Sequence, residues 1–217
     1  MRQLRAQVDN KGGQPAPSRL FAVPDEVAGL LPDAGLRPGS AYALGSAGAL
    51  LHALLAEPSR AGTWCGIVGM PELGLEAAHQ AGVVLDRLVL VPQPGPRWLS
   101  AVAALAEVLG VVAVRPSGSV APADAARLAS RLRDREATLL VVGDWPRAEA
   151  VLRVEEPRWF GVGSGHGNLT QREVTLTITS KRMARPRSTR LLLPGPDGHL
   201  GQLPTPLPAG DTLRAVG

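Results

Sequence analysis

Between residues 41 and 142, short apolar runs alternate with stretches of helical spacing, and this alternation limits the architecture more than any other feature of the chain. The runs lie at 41 to 44, 63 to 70, 87 to 91, 111 to 114 and 138 to 142, and each is apolar on both faces. Helical segments are predicted between them at 49 to 56, 75 to 81, 98 to 109 and 122 to 136, closed by Pro58, Gly82 and Gly110 or opened by Pro122. Strands buried on both faces and joined by helices form crossover units of a parallel sheet. Aromatic residues make up only 3% of the chain, so the core must be built from Leu, Val and Ala. After Pro157 the pattern changes: Glu173-Val174-Thr175-Leu176-Thr177-Ile178-Thr179 alternates with period two. The fold class expected is α/β: a layered core with a mostly parallel sheet, helices on both faces, and antiparallel edge strands near the C-terminus.

Three segments are expected. Residues 1 to 19 mix charge, Gly and Pro without periodicity and read as a flexible tail, residues 20 to 193 as one α/β domain, and residues 194 to 217 as a Pro/Gly-rich tail. No fixed-period repeat is present. Cys65 is the single cysteine and has no partner for a disulfide or a zinc site, which suits a reducing compartment. No apolar run approaches the ~20 residues of a membrane span. A cytoplasmic protein without membrane association is therefore expected.

The loop Gly45-Ser46-Ala47-Gly48-Ala49-Leu50 sits between a strand and a helix, where a phosphate-binding loop would sit. Such a loop needs glycines for close backbone approach, a lysine for the terminal phosphates and a hydroxyl for magnesium. Here Ala49 stands at the lysine position, Leu50 stands at the hydroxyl position, and the loop is short. A tight βα turn is the expectation. Neighbouring strand ends agree with it: the 111 to 114 run exits into Arg115-Pro116 rather than an acid, Asp144 reads as a turn or cap residue, and Glu72 has no lysine opposite it. His52, His79, His166 and His199 are scattered without metal-ligand spacing. No catalytic residue, metal or cofactor is assigned.

Two other stretches are candidates for contact. The glycine-dense run from Gly161 to Gly167 precedes a strand rather than opening a helix, so it reads as a loop and not a dinucleotide fingerprint. Lys181, Arg182, Arg185, Arg187 and Arg190 fall within ten residues that contain no acid, in a chain of formal net charge +4. That cluster is a candidate surface for DNA phosphates or for a protein partner, although it lacks the interleaved aromatics of a single-strand binder.

The order of features from residue 63 to 145 resembles a RecA-like core. Gly82-Val83-Val84-Leu85-Asp86-Arg87-Leu88 leads into a strand that exits through Gln93-Pro94, followed by the helix at 98 to 109 and the strands at 111 to 114 and 138 to 142. With the segment MPELGLEAAHQAGV and an Arg- and Ala-rich composition, the chain looks most like the ImuA group, closest to its actinobacterial ImuA-prime branch. The resemblance covers roughly residues 36 to 180, and the family's catalytic positions do not carry over. It implies a non-catalytic adaptor in a DNA-damage-inducible translesion mutasome, bound to an ImuB-like polymerase homologue. DNA contact through residues 181 to 190, and contact with RecA or self-association, are further implied partners. The alternatives are a nucleotide-dependent DNA-binding recombination mediator and a SulA-like inhibitor of cell division.

Overall fold

The computed structural model describes residues 19–160, 171–195 and 197–203. Its helices are α1 (Asp25–Ala28), α2 (Ala49–Arg60), α3 (Leu75–Gln80), α4 (Trp98–Leu105) and α5 (Pro122–Arg135). Its strands are β1 (Ala41–Leu44), β2 (Cys65–Val68), β3 (Leu88–Val91), β4 (Val111–Val114), β5 (Thr138–Val142), β6 (Ala150–Phe160), β7 (Gln171–Thr179), β8 (Arg187–Leu192) and β9 (Gly201–Gln202). They form one sheet in the order β3-β2-β4-β5-β1-β6-β7-β8-β9. Pairing is parallel from β3 across to β6 and antiparallel from β6 to β9. The α/β class, the mostly parallel sheet and the antiparallel strands at the C-terminal end are as the sequence predicts.

The apolar runs divide their side chains between two cores. Tyr42, Leu44, Ile67, Ala113 and Leu140 face the layer that holds α1, α2 and α3, whereas Ala41, Ala43, Val68, Val112 and Leu139 face α4 and α5. This is the period-two consequence of a pleated strand buried on both sides. Helix α2 contributes Leu50, Leu51, Leu54 and Leu55, all 2% exposed or less. Each such leucine contributes about 1.5–3 kcal/mol of transfer free energy. The helix runs through Pro58 to Arg60 instead of ending before the proline. The proline leaves the Leu54 carbonyl without its helical N–H donor, and Ser59 secures that last turn: its Oγ donates to the Ala56 carbonyl and accepts from the Val84 N–H at 3.0 Å.

Helix α5 starts with proline at its first position, buries Ala125, Leu128 and Leu132 at helical spacing, and closes on Glu136 in the left-handed region (φ 52°). Helices cover both faces of the parallel half. Among the described residues, the antiparallel half is covered on one face, where Val174, Leu176 and Ile178 pack into the α1 to α3 core. On its other face Thr175 and Thr177 donate hydrogen bonds to Glu156 and Glu155.

Strand β6 was not predicted from the sequence, because Pro157 and three neighbouring charges interrupt it. A bulge between Glu155 and Arg158, with Glu156 at φ 53°, places the proline outside the regular ladder. The ordered chain also continues past 193: β9 pairs with β8, so folded structure reaches into the segment expected as a tail. Residues 1 to 18 of the predicted tail, the glycine-dense run at 161 to 167 and residues 204 to 217 lie outside the described residues. Among the described residues, no helix is long and apolar enough to cross a membrane. Cys65 is fully buried, and burial pushes its thiol up to about 12.

Candidate functional site

In an open parallel sheet, ligands bind beyond the carboxyl ends of the strands, where the loops converge. At that edge this chain places Gly45 to Gly48 after β1, Glu72 beyond β2, Arg115 after β4 and Asp144 after β5. All the strand-end residues singled out in the sequence thus share one edge.

The loop after β1 is held close to the sheet. The Gly45 N–H donates to the Leu152 carbonyl at 2.9 Å, and Gly48 caps α2 at φ 101°, ψ −139°, a conformation that requires glycine. Ala47 and Ala49 pack against the core, and Leu50 is 2% exposed. At the positions where a phosphate loop offers an ammonium and a hydroxyl, this loop presents a methyl group and a leucine turned into the interior. The next helical turn carries His52, 5% exposed, whose Nε2 has no hydrogen-bond partner among the described residues. Burial pushes its pKa below the usual histidine range. It is a neutral ring inside the core, not a ligand at the edge.

Across the same edge, Arg115 forms an ion pair with Glu72. The hydrogen bond from the Arg115 guanidinium, with a smaller contribution from Glu72's own backbone, holds this carboxyl below the ordinary glutamate range. A general base for water is tuned upward, toward neutral pH; Glu72 is tuned the other way. Gly69 (φ 76°) makes the crossing of these strand ends feasible, since a Cβ there would lie 2.6 Å from the Arg115 carbonyl oxygen. Asp144 is exposed after Gly143 (φ 115°), whose N–H donates to the Leu44 carbonyl at 2.9 Å. Among the described residues, no three His, Cys, Asp or Glu side chains gather as a metal site.

The basic run lies elsewhere, in the β7–β8 turn and along β8, and the fold already uses three of its cations. Arg182 forms a bidentate pair with Asp33 and a second ion pair with Glu149 at 2.9 Å. Its guanidinium, ahead of that of Arg37, holds Asp33 below the usual carboxylate range. Arg187 donates to the Leu31 carbonyl at 3.3 Å, and Arg190 pairs with the nearly buried Glu173. Lys181 and Arg185 have no such partner among the described residues. Sequence reading missed this division because the acids that neutralise Arg182 lie 149 and 33 residues away.

Two comparisons bear on this arrangement. The family model described as the MT3502 N-terminal domain matches residues 29–147 of this chain. The uncharacterized protein Rv3395c of Mycobacterium tuberculosis is 37% identical over 112 residues, which are 51% of this chain and 55% of that protein. The match therefore spans about half the length of that relative.

Proposed function

This chain belongs to the MT3502 N-terminal domain family, and from the state of its sheet edge we propose that it is a non-catalytic RecA-derived adaptor of the ImuA group. In this reading it works in the cytoplasm within a damage-inducible translesion mutasome and binds a polymerase-like partner of the ImuB type. The observation that carries the reading is the carboxyl edge of the sheet. Its loop is packed against the core, Leu50 is buried where a magnesium-binding hydroxyl would stand, and Glu72 is neutralised by Arg115. A scaffold with that edge retains surfaces for binding while lacking the groups that hold and hydrolyse a nucleoside triphosphate.

Two measurements test the reading. Titration of the purified chain with labelled ATP and magnesium is expected to give no saturable binding. Micromolar binding abolished by Gly48→Asp would overturn the adaptor reading in favour of a nucleotide-dependent DNA-binding mediator. Capture of bound proteins from cells with damaged DNA is expected to recover a polymerase-like protein. Failure to recover one while a cell-division protein is retained would move the assignment to an inhibitor of division.

A further inference from the structure

The crossover from β5 to β6 spans residues 143 to 149 and contains no helix, so it covers the sheet less fully than α4 and α5 do. Between this crossover and α5 lies a cleft of about 380 Å³. Ala125, Ala129 and Leu132 of α5, with Ala41 of β1, give it an apolar wall, and Arg133 and Arg147 stand at its rim. Neither guanidinium has an ion-pair or hydrogen-bond partner among the described residues. This separates them from Arg182, whose charge is already satisfied. Glu149, the acid that also lines the cleft, is engaged by Arg182 at 2.9 Å and does not neutralise them.

Two backbone features bring these residues to the cleft. Gly39 (φ 75°) lets the chain approach α5 so closely that a Cβ at this glycine would lie 3.0 Å from the Arg133 Cα. Arg147 sits at φ 58°, a left-handed conformation that non-glycine residues rarely adopt. Two unpaired cations beside an apolar wall define the chemistry of an occupant: carboxylates for the guanidiniums and an apolar side chain for the alanine-lined wall.

We infer that this cleft docks an extended acidic peptide segment of the protein partner, one apolar residue seated against α5 and flanking carboxylates paired with Arg133 and Arg147. The inference rests on the adaptor reading for the identity of the partner, though not for the chemistry of the cleft. A nucleic acid strand is a poorer fit. Base recognition on a single strand needs an exposed aromatic face, and Trp145, the aromatic residue lining the cleft, is only 8% exposed.

The test uses the full chain and a set of fluorescein-labelled nonapeptides with Leu, Ile, Met or Phe at the centre and Glu on both sides, read by anisotropy. At least one is expected to bind, and Arg133→Glu and Arg147→Glu are each expected to weaken it about tenfold, the usual scale of a lost charge-assisted hydrogen bond. Gln-flanked analogues should bind comparably less well. Ala126 also lines the cleft, and Ala126→Gln narrows it without changing charge and should also weaken binding. Since Arg133, Arg147 and Ala126 are exposed, all three variants should stay folded, with Arg133→Glu slightly less stable because it places an anion in the last turn of α5. If no peptide of the set binds, or if the variants bind equally, the inference fails. It also fails if a single-stranded oligonucleotide displaces the peptide and loses affinity in the same variants. Capture of the polymerase-like partner separates the two claims. Capture unaffected by the cleft variants overturns the cleft and leaves the adaptor, whereas peptide binding without partner capture does the reverse.

Discussion

Replacing His52 with leucine gives a stability test that isolates one buried group. The ring is 5% exposed, and its Nε2 has no partner among the described residues, so the native state holds it neutral. In the unfolded chain the same ring titrates near pH 6.5. Its native pKa is lowered, so the unfolded state binds the extra proton. Stability therefore falls as pH drops below about 6.5 and stops falling once the native pKa is passed. By about pH 5, roughly 1.5 units lower, the loss reaches at most about 2 kcal/mol. The leucine variant carries no such term and also removes an unsatisfied nitrogen, so it should be about 1 kcal/mol more stable than wild type near pH 7.5. The gap should widen toward pH 5, to at most about 3 kcal/mol. With a urea m-value of about 3 kcal/mol/M, the widening appears as a midpoint difference that grows by at most about 0.7 M. The other histidines are common to both proteins and cancel in the difference. Parallel pH profiles for the two chains would refute the assignment of His52 as a buried, unpartnered ring.

Installing Lys at Ala49 together with Ser at Leu50 restores the side chains of a phosphate loop on paper. The expected result is a loss of about 3 kcal/mol or more in urea unfolding, from the emptied leucine site and the buried hydroxyl, with ATP retention still at background. Gly69→Ala should lower the melting temperature by about 6–9 °C, corresponding to about 3 kcal/mol of left-handed strain and contact with the Arg115 carbonyl. Gly62→Ala, equally at positive φ (90°) but with open space around it, should cost distinctly less. Within the basic segment, Arg182→Ser should lower the melting temperature and Lys181→Ser with Arg185→Ser should not. Asp33, with its depressed native pKa, adds stability above about pH 4 that is lost as pH falls through that lower value, and Arg182→Ser should shrink this acid limb.

The parallel half of the fold was legible because its signals are local. Four-residue apolar runs such as Val111 to Val114, bounded by Gly110 and Arg115, can only be buried strands when helices separate them. That Ala49 and Leu50 offer no ammonium and no hydroxyl was legible for the same reason, since it follows from residue identity whatever surrounds them. What sequence reading missed depends on distant partners. Strand β6 carries Glu155, Glu156 and Pro157 in its middle and is specified by its neighbours β1 and β7 rather than by its own composition. The basic run looked like a free charged arm because nothing in its own sequence reveals that Asp33, Glu149 and Glu173 fold against it. Arg133 and Arg147 escaped notice as ordinary surface arginines, and only the turn of the crossover brings them to one cleft.

The position of β6 also bears on where this protein can be cut. It lies against β1 in the middle of the sheet, yet it comes after residue 147, where the family match stops. A fragment cut there would keep every parallel strand up to β5 and leave β1, whose four residues are all buried in the whole chain, as a raw edge. Such an edge invites pairing with another copy. The region that the family model matches therefore stops one strand short of covering β1, and β6, supplied from beyond that region, closes the edge.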